Sequence, residues 1–329
     1  MINVKITTPF PDWPLIRQTP NKSGKWKNIQ FYVNDDSIDK CDFFVVYDGL
    51  NKENILRCNS KNTLFITGEP ETVKKYNSSF LNQFSYVITS QKNIKHKGLI
   101  LSQQSLMWMV GGNYSNGKWK SEFTKDYDEL KKINTYTKNK LISVILSNKD
   151  ITLGHKQKNL FVKKLKEHFG EKLDVFGVGH NEIEDKWTAI SNYKYHLVLE
   201  NCSINHYWTE KLADCYLAGA FPFYYGCKNL NTYFSPESYI KININKVDES
   251  IEIIKEAISK NTFENSQEHI SHAKQLVLDK YNIFPMLTEF INCNLYVSSN
   301  NELLSIKPEN NFSKNIIFKF LNLFKKKHS

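Results

Sequence analysis

Two series of short, uninterrupted apolar runs constrain the fold of this chain more than any other feature. The first series occupies the N-terminal half of the 329 residues, and the second begins near residue 141. Continuous apolar runs of about four to eight residues are typical of strands in a parallel sheet, because helices cover both faces of such a sheet. The sequence therefore predicts an α/β fold, with strands at 43–47, 63–67, 86–89, 98–101, 141–146, 173–176, 196–199 and 221–225.

The order of these elements predicts two domains. A polar, charged segment at 121–140 separates the two series, and we predict that it forms a linking helix. Two successive halves rich in βαβ units favour two Rossmann-like domains that face each other across a cleft. We place an N-terminal domain at 1–138, a C-terminal domain at 139–300 and a basic amphipathic tail at 301–329.

Charge and cysteine usage restrict the class of partner and the compartment. The formal net charge of +10 suits an anionic partner, although lysines scattered among asparagines also describe an ordinary solvated surface. Nucleic-acid binding would need basic residues interleaved with aromatic ones on one face, or a recognisable module, and the sequence shows neither. We therefore predict no nucleic-acid partner. The six cysteines include no CxxC pair, which is typical of reduced cysteines in a cytosolic protein.

The two ends of the chain suggest where it acts. The first residues lack the charged and then apolar pattern of a signal peptide, and no run of about 18 apolar residues occurs. The last residues, 312–329, combine an apolar helical face with a lysine-rich end, which suits the surface of an anionic bilayer. A helix that caps the core is the alternative. We predict a cytoplasmic protein, peripheral at the inner face of the cytoplasmic membrane.

A cluster of polar residues at a strand-to-helix turn indicates a ligand site. The predicted strand ends at Glu200, and Thr209 is a good N-cap for the next helix. Ligands of such sheets bind at the carboxyl ends of strands, where helix N-termini present free N–H groups. We predict that Tyr207 and Lys211 hold a phosphate and that Glu210 accepts hydrogen bonds from sugar hydroxyls. An ordinary capped helix, with Glu210 favoured by the dipole, explains the spacing equally well.

The residue identities in this stretch match a known pattern. They read YKY at 193–195, LENC at 199–202, YWTEK at 207–211 and FPFYYG at 221–226, with Gly219 between the last two. This stretch resembles the donor-binding motif of the α-1,3/4-fucosyltransferases (glycosyltransferase family 10), of bacterial type. Four positions depart from the family pattern: Cys202, Trp208, Cys215 and Phe221.

Further segments are similar to the same family. Upstream, Ser147-Asn148, the segment KNLFVKKL at 158–165 and DVFG at 174–177 resemble its second motif, and Lys186 matches a frequent lysine. Lys158 stands where the family has a phosphate-binding arginine, so the charge is kept but the bidentate fork is lost. In the first half, TGE at 67–69 resembles a strand-end motif of the family. The resemblance covers roughly 140–245 well and 63–69 narrowly.

The resemblance implies a GT-B fold that binds a nucleotide sugar, most simply GDP-fucose, in its C-terminal domain. Lys158, Asn201, Tyr207 and Lys211 would contact the ribose and diphosphate, and Glu210 the ribose or sugar hydroxyls. Glu69 would be the general base that faces the gap from the acceptor domain. No metal is implied, because basic side chains and a helix dipole would stabilise the leaving diphosphate. The DxD pattern at 126–128 lies in the charged linker and makes a poor metal site.

The predicted function is an inverting transfer of L-fucose from GDP-fucose to a hydroxyl of a surface glycan, such as a lipopolysaccharide or another oligosaccharide or lipid-linked glycan. Another nucleotide sugar as donor is an alternative within the same class. A non-catalytic sugar- or nucleic-acid-binding protein is the alternative of another class. The acceptor, the linkage and the regiochemistry do not follow from the sequence.

Overall fold

The chain forms two compact units. The computed structural model describes residues 1–105, 107–115, 118–146, 153–297 and 302–312. Unit 1 comprises Met1–Pro11, Gly24–Gln104 and Leu287–Ser329, and unit 2 comprises Asp12–Ser23 and Ser105–Met286. The chain therefore enters unit 2 briefly near its N-terminus and returns to unit 1 at its C-terminal end.

The strands of the described residues are, in chain order, β1 (Ile2–Thr7), β2 (Lys25–Trp26), β3 (Ile29–Val33), β4 (Phe43–Tyr47), β5 (Asn54–Cys58), β6 (Thr63–Ile66), β7 (Tyr86–Thr89), β8 (Leu99–Leu101), β9 (Gly112–Ser115), β10 (Lys118–Phe123), β11 (Lys140–Ile145), β12 (Leu173–Phe176), β13 (Tyr193–Leu199), β14 (Phe221–Tyr225), β15 (Ile240–Lys241) and β16 (Glu302–Ile306). The helices are α1 (Ser78–Leu81), α2 (Tyr127–Lys132), α3 (Leu153–Phe169), α4 (Lys186–Ile190), α5 (Glu210–Leu217), α6 (Val247–Ser259), α7 (Thr262–Asn265), α8 (Gln267–Asp279) and α9 (Ile283–Asn294).

Unit 1 is built on a seven-stranded sheet in the order β2-β3-β1-β4-β6-β7-β8. Its strands pair in parallel except for the antiparallel edge pair of β2 and β3. Every residue of β4 and β6 is buried, as expected for strands that are covered on both faces. The carboxyl ends of these two neighbouring strands carry Asp48 and Glu69.

Unit 2 contains a five-stranded parallel sheet in the order β12-β11-β13-β14-β15. The first strand, β11, lies between the second and the third, so the strand order reverses between β11 and β13. In open α/β sheets, ligands bind outside the carboxyl ends of the strands at such a switch point. The α/β class and the two parallel sheets predicted from the sequence are confirmed, and two such units in one chain are the parts that define a GT-B fold.

The structure corrects two predicted elements. The segment 121–140 is not one linking helix, because it contains the end of β10, the short helix α2 and the start of β11. For α3, the sequence predicts an amphipathic helix at 156–169 with Leu160, Phe161 and Leu165 on its apolar side. This prediction is wrong at Leu160, which is 56% exposed. The buried side carries Lys158, Phe161, Val162 and Leu165, which are spaced three or four residues apart.

The domain boundaries also differ from the predicted ones. Residues 105–138 and the segment Asp12–Ser23 belong to unit 2, whereas the prediction assigns both to an N-terminal domain that ends at 138. The reason is a set of hydrogen bonds from one side chain: the Arg17 guanidinium donates to the carbonyls of Trp108, Val110 and Lys125. Asp185 accepts from the Gly111 amide at 2.8 Å, which docks the β9–β10 hairpin on α4.

The predicted tail is partly a strand. β16 pairs antiparallel with β5 in unit 1, so residues 302–306 are part of the fold. Residues 313–329, on which the predicted membrane contact depends, lie outside the described residues. None of the described helices is long and apolar enough to cross a membrane.

Candidate functional site

Two side chains meet at the switch point of the unit 2 sheet. Lys158 lies on α3, which follows β11, and Asn201 lies just after β13. The Lys158 Nζ donates to the Asn201 Oδ1 at 2.8 Å. Lys158 is only 6% exposed because it lies on the buried side of α3. The structure thus brings together two of the predicted donor-binding residues across the crevice where ligands of such sheets bind.

The start of α5 is anchored to the end of β13. Glu200 is fully buried, and its carboxylate accepts from the Thr209 amide at 2.8 Å and from the Thr209 hydroxyl at 2.7 Å. The Thr209 hydroxyl oxygen in turn accepts from the Lys211 amide, as predicted for an N-cap. The helix ends at Leu217, followed at Gly219 by a left-handed φ of 66°. The first turn of α5 is therefore fixed relative to the strand end.

Lys211 lies in the middle of this anchor. Its Nζ is 3.2 Å from the Glu210 carboxylate and 3.7 Å from that of Glu200, and its side chain is 30% exposed. The ammonium is thus held by two carboxylates while it stays accessible to a ligand. Such a fixed, partly exposed cation is suited to an anionic group.

Glu210 connects this cluster to a second lysine. The Lys186 Nζ lies 3.6 Å from the Glu210 carboxylate and 3.3 Å from that of Asp214, one helical turn along α5. Asp214 is fully buried and accepts from the amides of Met109 and Val110. We did not single out Asp214 from the sequence, although its spacing of four residues from Glu210 places both on one helix face.

Burial and neighbouring charges shift the pKa values of this cluster. Burial lowers the pKa of Lys158 to about 8, and the positive charge of Lys211 adds to that shift. Burial opposes ionisation of Glu210, but Lys211 and Lys186 outweigh it and hold its pKa at about 2. Burial raises the pKa of both Glu200 and Asp214. Glu210 therefore stays ionised beside Lys211 and Lys186 at neutral pH.

The segment before α5 is packed against aromatic rings. Tyr207 is 2% exposed, and its predicted contact with a phosphate stays a prediction. Trp208, one of the departures from the family pattern, packs edge-on against Tyr233, Phe234 and Tyr281. An aromatic cluster thus accommodates the indole ring of Trp208.

A glycine allows β14 to approach the cluster. A Cβ atom at Gly226 would lie 2.4 Å from the Glu200 Cγ and 2.5 Å from the Tyr224 hydroxyl. Any larger residue would push the buried Glu200 carboxylate away from Thr209. Close packing against Glu200 and Tyr224 therefore explains the final glycine of the FPFYYG segment.

Glu69 lies in unit 1, after β6, and its side chain is half-buried. Its amide and that of Gly68 both donate to the Tyr76 hydroxyl oxygen, at 3.2 and 3.0 Å. Its carbonyl accepts from the Gln91 side chain at 2.8 Å. The predicted base therefore lies at a strand end, as expected, on a backbone that is held from both sides.

Other sequence candidates have structural partners. Asp126 caps α2 and Asp128 accepts from the Asn21 amide, so both carboxylates of the DxD pattern accept hydrogen bonds from backbone amides. Arg17 is buried, so it belongs neither to an acceptor lip nor to a plain surface loop, the two roles that its position in a Gly/Pro/Lys-rich segment suggests. Trp108 is also buried, as a role in packing requires.

Residues 135–273 match the family model described as "Glycosyltransferase family 10 (fucosyltransferase) C-term". This domain belongs to glycosyltransferase family 10. The family 10 domain contains the α3, β13 and α5 residues described above, which include Lys158, Asn201, Tyr207, Glu210 and Lys211. The resemblance noted in the sequence is therefore confirmed for this part of the chain.

Two curated relatives match shorter stretches. An α-(1,3)-fucosyltransferase FucT of Helicobacter pylori is 33% identical over 79 residues, and an α-(1,4)-fucosyltransferase of Arabidopsis thaliana is 35% identical over 68 residues. These stretches cover 24% and 19% of this chain but only 16% and 17% of the two relatives. The likeness therefore covers a minor part of each relative.

Solved structures are similar over most of the chain at low identity. The crystal structure of an α1,3-fucosyltransferase with GDP-fucose covers 92% of this chain and 92% of its own, with 17% identity and a TM-score of 0.49. The apo structure of OtsA covers 91% of this chain and 100% of its own, with 10% identity and a TM-score of 0.48. The assignment to family 10 rests on residues 135–273.

Proposed function

We propose that this protein is an inverting glycosyltransferase that transfers L-fucose from GDP-fucose to a hydroxyl group of a surface glycan, such as a lipopolysaccharide. The observation that carries the proposal is the contact of Lys158 with Asn201 at the sheet's switch point, inside the family 10 domain. Both curated relatives are named as fucosyltransferases, which favours fucose as the transferred sugar.

The cluster at the start of α5 would bind the diphosphate. The Lys158 and Lys211 ammonium groups each have three N–H donors, and charge-assisted bonds to an anion are about twice as strong as neutral ones. The N-terminus of α5 adds the positive end of its helix dipole. Glu210, whose pKa of about 2 keeps it ionised, would accept hydrogen bonds from ribose or sugar hydroxyls. The Tyr207 hydroxyl would complete the phosphate contacts.

Inverting transfer needs a base and a stabilised leaving group. As the acceptor oxygen bonds to the anomeric carbon, the bond from that carbon to the GDP oxygen breaks and the acceptor hydroxyl loses its proton. We propose that the Glu69 carboxylate takes this proton. Lys158 and Lys211 would stabilise the negative charge that develops on GDP. In this assignment, unit 2 is the donor-binding domain and unit 1 is the acceptor-binding domain.

A nucleotide-sugar panel tests the proposal. GDP-fucose should raise the melting temperature of the protein, and transfer to oligosaccharide acceptors should release GDP. Stabilisation by a different nucleotide sugar, with transfer from it, would establish the alternative donor. Binding of sugars without any transfer or donor hydrolysis would indicate a non-catalytic binding protein. Membrane contact through the C-terminal residues stays a prediction.

Donor affinity should depend on pH through Lys158. Its pKa of about 8 means that the ammonium carries its full charge well below pH 8 and loses its proton above it. The diphosphate binds the charged form, so affinity for GDP should be highest below pH 8 and fall as the pH rises past 8. We expect a fall of about tenfold, the order of one charge-assisted hydrogen bond. Calorimetric titration with GDP between about pH 7 and 9.5 measures it.

Matched variants separate charge from structure. Lys158→Arg keeps its charge at every pH used, so its affinity for GDP should no longer fall as the pH rises. Lys158→Met should weaken GDP binding at pH 7. Lys164→Met, on the exposed side of α3, should keep the wild-type profile. Lys211→Ala should weaken GDP binding about tenfold or more. If Lys158→Met and Lys211→Ala both bind GDP as tightly as the wild type, the phosphates lie elsewhere.

Turnover should persist in EDTA. The groups assigned to the leaving diphosphate are ammonium ions and the positive end of the α5 dipole, and they need no bridging cation. The measurement is the transfer rate after exhaustive chelation, with the untreated protein as control. Loss of activity that Mg²⁺ or Mn²⁺ restores would contradict the assignment and would return attention to Asp126 and Asp128.

A further inference from the structure

One hydroxyl group binds two successive amides of the backbone that carries Glu69. The phenol of Tyr76, seven residues further along the chain, is buried and lies between the ends of β4 and β6. Its oxygen accepts hydrogen bonds from the amides of Gly68 and Glu69, and its O–H group donates one to the Asp48 carboxylate. A phenol has one donor and two acceptor positions, so this one uses all three.

The phenol keeps its proton under all ordinary conditions. Burial raises the pKa of Tyr76 far above its usual value, and the negative charge of Asp48 raises it further. Its O–H group is therefore always available to Asp48, and its oxygen always faces the two amides. Tyr76 acts as a fixed connection between the end of β4 and the loop after β6.

Asp48 is held as firmly as Tyr76. It follows β4 with a left-handed φ of 62°, and one carboxylate oxygen also accepts from the Gly68 amide at 3.2 Å and from the Lys74 Nζ at 3.2 Å. The same Nζ donates to the Asp48 carbonyl at 2.6 Å and lies 4.6 Å from the centre of the Tyr76 ring. A non-glycine residue with this φ is uncommon and indicates that the surroundings impose it.

The contact between the two strand ends leaves no room for a side chain at position 68. A Cβ atom at Gly68 would lie 2.8 Å from the Asp48 Cγ. On the other side, the Gln91 side chain joins the carbonyls of Glu69 and Lys74, at 2.8 and 3.0 Å. The backbone on both sides of the Glu69 Cα is thus fixed, which limits the directions that its side chain can take.

We propose that Tyr76 and Asp48 are positioning residues that orient Glu69 for proton abstraction, an inference that rests on the proposed function of Glu69. They act through the backbone of Gly68 and Glu69 and touch neither the donor nor the reacting atoms. Efficient base catalysis depends on this orientation, because a displacement of about 1 Å can cost on the order of 100-fold in rate.

Tyr76→Phe tests the proposal, since it keeps the ring and removes only the hydroxyl. We expect kcat to fall about tenfold or more, with the affinity for GDP and the KM for GDP-fucose within about twofold of wild type. Tyr32→Phe is the matched control, because the Tyr32 hydroxyl contacts Asn3 in the same unit at 3.4 Å. It should leave kcat unchanged. Asp48→Asn, which keeps the shape of the acceptor, should lie between Tyr76→Phe and wild type.

A double-mutant cycle shows whether Tyr76 acts through Glu69. In a Glu69→Gln background, Tyr76→Phe should lower kcat by less than about twofold, because the orientation of an absent base no longer matters. Equal losses in both backgrounds would overturn the proposal, and so would a Tyr76→Phe protein with wild-type kcat.

Amide hydrogen exchange supplies a measurement that needs no turnover. Tyr76→Phe should speed exchange at Gly68 and Glu69 by about tenfold or more, while Tyr32→Phe should not. If the wild type transfers no sugar but this exchange effect is seen, the proposed function is wrong and the connection between the strand ends stands. If exchange is unchanged, the positioning role is wrong whatever the protein transfers.

Discussion

Glu69→Gln is expected to lower kcat by about 10²- to 10⁴-fold and to leave the affinity for GDP unchanged. A single inverting displacement needs one base to take the proton of the acceptor hydroxyl as the new bond forms. The glutamine carboxamide keeps the shape of the side chain but is far too weak a base to take that proton. The transfer rate at saturating donor and acceptor measures the loss, and calorimetric titration measures GDP binding, which we assign to unit 2.

A neighbouring glutamate provides the control. Glu71 lies two residues further along, and its carboxylate accepts from the Asn93 side chain at 2.7 Å. Glu71→Gln should therefore keep kcat within about twofold of wild type. A Glu69→Gln protein within about threefold of wild type would remove Glu69 from the mechanism. Asp48, engaged with Tyr76 and Lys74, would be a poor replacement, which leaves Glu71 as the next carboxylate to test.

Strands that consist of one apolar run can be predicted from the sequence, and strands that bury a charge cannot. The predicted strands at 173–176 and 221–225 coincide with β12 and β14. β1, which we do not predict, carries Lys5 in its interior. Lys5 is buried, and its Nζ donates to the Ile38 carbonyl at 2.8 Å. Because that partner is 33 residues away, no local pattern reveals that the lysine can be buried.

The candidate site is predictable to the extent that its residues lie in one stretch. The strand-to-helix segment at 200–211 supplies Asn201, Glu210 and Lys211 in order, and the structure places them at one end of the sheet. The roles of Lys158 and Asn201 are predicted only through the family resemblance, because their contact joins residues 43 positions apart. Asp214 is missed for the same reason, since its partners, the amides of Met109 and Val110, lie more than 100 residues before it.

The extent of unit 2 depends on contacts of this long-range kind. Its additional segments, Asp12–Ser23 and the β9–β10 hairpin, carry no strong apolar run that would assign them to either sheet. Gln18 shows what assigns them instead. Its side-chain oxygen accepts from the Trp108 amide at 2.9 Å, and its side-chain nitrogen donates to Asn282 at 3.1 Å. Buried polar groups must be paired, so such bonds fix the position of a segment as firmly as apolar packing does.

Arg17→Met is expected to lower the free energy of unfolding of unit 2 by about 3 kcal/mol or more. Arg17 is 1% exposed, and its guanidinium donates to three backbone carbonyls, those of Trp108, Val110 and Lys125. Burial lowers the pKa of Arg17 to about 10, although the negative charges of Asp214, Asp185 and Asp126 act to raise it. The guanidinium is therefore still charged at neutral pH. Methionine fills similar space but leaves each carbonyl without its donor, at about 1–3 kcal/mol for each buried group.

Urea unfolding measures this loss. The transition that GDP stabilises identifies the unfolding of unit 2, to which we assign GDP binding. Arg57→Met is the control, because Arg57 is exposed on β5 and its replacement should change stability by no more than about 0.5 kcal/mol. Arg17→Lys should lie between the two, since an ammonium restores the charge and some of the bonds but not the planar fork that reaches three carbonyls at once. A loss below about 1 kcal/mol for Arg17→Met would mean that the carbonyls find other donors, and that the hairpin of β9 and β10 is held on unit 2 by Asp185 and Asp214 instead.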